Sequence, residues 1–71
     1  MTDELEARIA KLELLAEAHP DSRVFLSLAL AYRRAGRPDR ARALLEREIA
    51  RRPDDADAQV LLGRVLLDLG H

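Results

Sequence analysis

Seventy-one residues without a cysteine leave room for one small domain, and exclude both disulfides and a cysteine-based metal site as its source of stability. Leu, Ala, Arg and Glu are common and favour helices, while β-branched and aromatic residues are scarce, so an all-α fold is expected. The formal net charge of −1 hides a segregation: residues 1–22 hold six acids against two bases, residues 23–52 nine bases against three acids, and residues 53–71 four acids against one base.

The acidic start Met1-Thr2-Asp3-Glu4-Leu5-Glu6 lacks the apolar centre of a secretory signal. No apolar stretch approaches the roughly 20 residues of a membrane-spanning helix. A soluble, cytoplasmic protein with no membrane partner is expected. Thr2 is a candidate N-cap for a first helix over residues 3–18, on which Leu5, Ile9, Leu12 and Ala16 recur at helical spacing and Leu15 widens the stripe. His19-Pro20 ends it, because the residue before a proline is pushed out of helical dihedrals.

A second helix, residues 22–35, is capped by Asp21 or Ser22 and closed by Gly36. Its run Val24-Phe25-Leu26-Ser27-Leu28-Ala29-Leu30-Ala31-Tyr32 has no polar side beyond Ser27, so neighbours on several sides are expected to bury it. Pro38 opens a third helix, residues 38–52, with Ala41, Leu44, Leu45 and Ile49 turned inward. Asp54 or Asp55 caps a fourth, residues 55–69, carrying Val60, Leu61, Leu62, Val65, Leu66 and Leu69, and Gly70 closes it. Short connections make sequential neighbours antiparallel.

The chain repeats itself. A shift of 34 places Gln59, Leu62, Gly63, Leu66 and Gly70 on Phe25, Leu28, Ala29, Tyr32 and Gly36. The strings Ala-His-Pro-Asp-Ser at 18–22 and Arg-Arg-Pro-Asp-Asp at 51–55 correspond as well. The opposite shift sets Ala7 and Leu15 under Ala41 and Ile49. Phe25-x2-Leu28-Ala29-x2-Tyr32, followed by Ala41-x3-Leu45 and Pro53, resembles the tetratricopeptide repeat. The resemblance covers the whole chain, about two repeats in shifted phase: a second helix, one complete repeat and a first helix. It implies a single domain over residues 1–71, a four-helix fragment of an antiparallel helix-turn-helix solenoid. Departures stand at Phe25 and Gln59 for the usual Trp, Leu45 for an aromatic, and Glu48 for a small alanine. A carboxylate at Glu48 must reach solvent or an arginine, with Arg52 or Arg64 as candidates.

Chemistry-bearing groups are few. His19 and His71 lack a partner at a telling spacing. Ser27 reads as a small packing residue, and Asp54, Asp55 and Asp57 as capping acids, since the glycine and distal glutamate of a calcium loop are missing. No catalytic residue, cofactor or metal is expected. Arg40, Arg47 and Arg51 form a stripe on the third helix, with Arg33, Arg34 and Arg37 nearby. Without aromatics to stack bases, this reads as a solvated face rather than a nucleic-acid site, and Arg42–Glu46 and Glu48–Arg52 as surface pairs.

The resemblance implies a non-catalytic scaffold for protein–protein interaction, with the first helices of successive repeats lining a concave groove for a partner segment. The matching positions are Arg23, Leu26, Leu30, Arg33, Arg34, Val60, Arg64, Leu67 and Asp68. The family's carboxylate clamp uses basic and amide side chains there. Leu26, Leu30 and Val60 argue instead for an apolar or amphipathic segment with some negative charge. The alternative role is oligomerisation, as a homodimer joined through an exposed strip of Leu62, Val65, Leu66 and Leu69, or by supply of the missing neighbour from a longer array.

Overall fold

A computed structural model describes residues 3–70. Its helices are α1 (Glu4–Ala18), α2 (Val24–Arg34), α3 (Pro38–Arg51) and α4 (Ala56–Asp68). Thr2, the expected first cap, lies outside the described residues; Asp3 takes that role, its carboxylate accepting the Leu5 N–H at 3.3 Å. At the start of α2, Ser22 Oγ accepts the Val24 N–H at 3.4 Å and donates to the His19 carbonyl at 2.7 Å.

Gly36 ends α2 at φ +73, a conformation that a Cβ disfavours. The Gly36 N–H then reaches the Arg33 carbonyl and the Arg37 N–H the Tyr32 carbonyl, satisfying two otherwise orphaned acceptors. Pro38 occupies the first turn of α3, where its missing N–H costs no hydrogen bond. Asp55 caps α4 by accepting the Ala58 N–H at 3.2 Å.

The centre of the fold is α2, which packs on all three other helices. Its Phe25, Leu28, Ala29, Ala31 and Tyr32 are buried in one cluster with Ile9 of α1, Ala41, Leu44 and Leu45 of α3, and Ala58, Leu61 and Val65 of α4. Fully enclosed alanines at 29, 41 and 58 let the helix axes approach, and Leu45 fills the space beside them. Two expectations change. Ser27 is exposed rather than packed; it lies with Leu30 in a shallow depression beside Glu4, Leu5 and Arg8 of α1. Val65 is completely buried in the shared core rather than left on the open flank.

Candidate partner-binding groove

Sequential helices pack in turn, and α2 also touches α4, whereas α1 and α3 do not pack on each other. The row of helices therefore bends, with α2 and α4 on its inner side. Arginines from α2 bridge to acids around α4. Arg23 reaches Asp55 and Asp57, each at 3.1 Å, and Arg33 makes a two-pronged contact with Asp68. The Arg23–Asp57 and Arg33–Asp68 pairs are 34 and 35 residues apart, so they hold α2 and α4 parallel in the repeat's own register. Those guanidiniums keep the Asp55 and Asp68 carboxyls below the usual carboxylate range, helped at Asp55 by the Ala58 N–H.

The apolar positions expected to line a groove are largely open. Leu30 is 43% exposed, Val60 58% and Leu67 72%, while Leu26 is half-buried against the core. With the register fixed at about one repeat, Leu26 stands level with Val60 and Leu30 with Arg64. Arg34 and Arg64 are exposed and form no ion pair among the described residues. Arg23 and Arg33 differ from expectation in that their charge is already met from within the chain. The signal was present in sequence, since Arg23 and Arg33 stand one repeat before acids.

The outer flank of α4 is less open than expected. Val65 drops out of it, Leu62 and Leu69 pack partly against the core, and Leu66 is half-buried. Gly63 lies on that flank, and a Cβ added there would meet open space. Glu48 is buried and pairs with Arg51 at 3.3 Å, not with Arg52 or Arg64. Arg52 turns instead toward Asp21 and lies 6.0 Å above the Phe25 ring. Arg42–Glu46 forms as an i,i+4 surface pair at 3.4 Å.

His19 is exposed and acts through its backbone, closing α1 onto the Leu15 carbonyl and accepting the Ser22 N–H. His71 lies outside the described residues. Among those residues no cluster of three His, Asp or Glu could hold a metal ion, and no helix is long and apolar enough to cross a membrane.

A family model described as tetratricopeptide repeat matches residues 26–70, which take in nearly all of α2 with α3 and α4. No curated protein and no solved structure matches the chain. Repeats of this family generally mediate protein–protein interaction and are generally non-catalytic. The matched residues, the four antiparallel helices and the 34-residue register of α2 on α4 agree: the chain belongs to the tetratricopeptide repeat family.

Proposed function

We propose that the protein is a non-catalytic scaffold that binds a partner's polypeptide segment along the α2/α4 groove. The observation that carries this reading is the exposure of Leu30, Val60 and Leu67 on the inner side of the array, between two ion-pair bridges that hold their helices in place. Exposed apolar side chains on a rigid scaffold lose little conformational freedom when a ligand covers them. With Arg23 and Arg33 neutralised internally, the ligand is chiefly apolar, and its acidic positions fall to Arg34 and Arg64.

Selection from a displayed random-peptide library tests this. Binders to the wild-type chain are expected to lose affinity for Leu30→Asp and Leu67→Asp, both of which should retain wild-type far-UV circular dichroism. Binders indifferent to both substitutions reject the groove. Leu26→Asp is a poorer probe, because Leu26 also supports the core.

The second reading, a homodimer joined through the outer flank of α4, is favoured by Gly63 alone, an interior helix glycine that nothing among the described residues approaches. Leu66→Glu should then convert a dimer to a monomer in sedimentation while leaving groove binders attached.

A further inference from the structure

Opposite the groove, where α1 and α3 part, lies an open cleft of about 1120 Å³. Leu28, Leu44 and Tyr32 form its floor, and Leu14 stands in its wall at 68% exposure. Leu14 is one of four exposed large apolar residues among those described, and the other three belong to the groove. The α3 wall presents Arg40 and Arg47, neither of which has an ion-pair partner among the described residues. Arg51, on the same wall, is taken by Glu48 and Asp21. The α1 wall presents Glu13, which accepts the Tyr32 hydroxyl, and Glu17, which is unpaired.

We propose that this cleft is a second docking surface, and that it takes an amphipathic helix of a partner protein. Its apolar stripe would lie over Leu14, with carboxylates two turns apart facing Arg40 and Arg47.

The spacing of these two arginines favours a helix. Arg40 and Arg47 are seven residues apart, about 10.5 Å along the axis, which matches acids at i and i+7 on a parallel or antiparallel rod. An extended strand spans that distance in about three residues, and its alternation puts residues three apart on opposite faces. Charge narrows the partner further. Glu13, Glu17 and Glu48 stand in the same cleft and repel a polyanion, so nucleic acid and an anionic bilayer fit poorly. A second copy fits poorly too: of its helical acid pairs at seven-residue spacing, Glu6 and Glu13 of α1 are engaged by Arg37 and Tyr32, and in Asp39 and Glu46 of α3 the second is paired with Arg42.

The test is selection of a displayed library of helix-forming 14-residue peptides with a fixed leucine stripe and randomised flanks. Enriched peptides are expected to carry carboxylates two turns apart. Their affinity should fall roughly tenfold or more on Leu14→Asp and on Arg40→Glu with Arg47→Glu, and should be unchanged on Leu30→Asp. Replacing the peptide carboxylates by lysine should restore binding to the doubly reversed variant, a rescue that misfolding could not mimic. Several results would overturn the proposal. They are enrichment without acidic flanks, sensitivity to Leu30→Asp in place of Leu14→Asp, or no enrichment above that on Leu14→Asp bait. Duplex DNA binding lost on Arg40→Glu, or a dimer that Leu14→Asp dissolves, would assign the surface to another occupant.

Discussion

Tyr32 joins two demands at one side chain. Its ring fills the core, and its hydroxyl reaches out to the Glu13 carboxylate on α1. Burial, and then the hydrogen bond to Glu13, push its ionisation up to about 12 from 10.0. A raised folded value means that the unfolded chain gives up its proton first. The stabilisation is thus complete below pH 10.0 and disappears as pH climbs toward 12. Tyr32→Phe should cost about 1 kcal/mol at neutral pH and flatten this alkaline decline, as read by urea titration at pH 8 and pH 11. Gly63 makes the opposite kind of statement. It sits inside α4 with empty space beside its α-carbon. Gly63→Ala should therefore stabilise the isolated chain by about 0.5–1 kcal/mol, since alanine loses less backbone freedom in a helix. Destabilisation in a chemical melt would mean that another helix approaches that spot in solution.

The four helices are unequally held. Only Ile9 of α1 is buried, and α1 packs on α2 alone. By contrast, α3 buries four residues and α4 three, packed on each other and each also on α2. Glu13–Tyr32 and Glu6–Arg37 (2.7 Å) are the polar ties that keep α1 in place. Partly exposed pairs of this kind contribute little individually. Local opening should therefore begin at α1. In native-state hydrogen exchange its amides should lose protection first, and those around Leu45 and Val65 last. Uniform protection across all four helices would count against this ordering.

For the whole molecule, the charge segregation along the chain becomes a set of ties across the fold. Basic residues 23–52 meet both acidic ends: Arg23 and Arg33 turn to the carboxyl-terminal acids, and Arg37, Arg51 and Arg52 to the amino-terminal ones. A segregation that in isolation suggests an acidic partner is thus largely answered inside the molecule. Asp55 and Asp68 have depressed ionisation, so their contribution is present above the ordinary value of 3.8 and fades as pH falls below it. Asp68→Asn should lower the melting temperature at pH 7, and the gap from wild type should narrow as pH falls below 3.8. A gap unchanged by acid would mean that the Arg33–Asp68 bridge contributes nothing to folding.

Much was legible in the residues because it is local or periodic. Proline and glycine bracket the helices, Asp55 caps α4, and the shift of 34 anticipates the parallel register of α2 and α4. The family resemblance singled out Leu30, Val60 and Leu67, and all three are exposed. Rotation about a helix axis and the choice among competing charges are different, since both depend on what stands opposite. Val65 is enclosed in the shared core with Ala58 and Leu61 rather than left on the open flank. Glu48 took Arg51 rather than Arg52, and Arg52 turned to Asp21, because side chains in a folded array answer to neighbours in space. The cleft beside Leu14 was invisible for the same reason: a gap between two helices is written in neither of them.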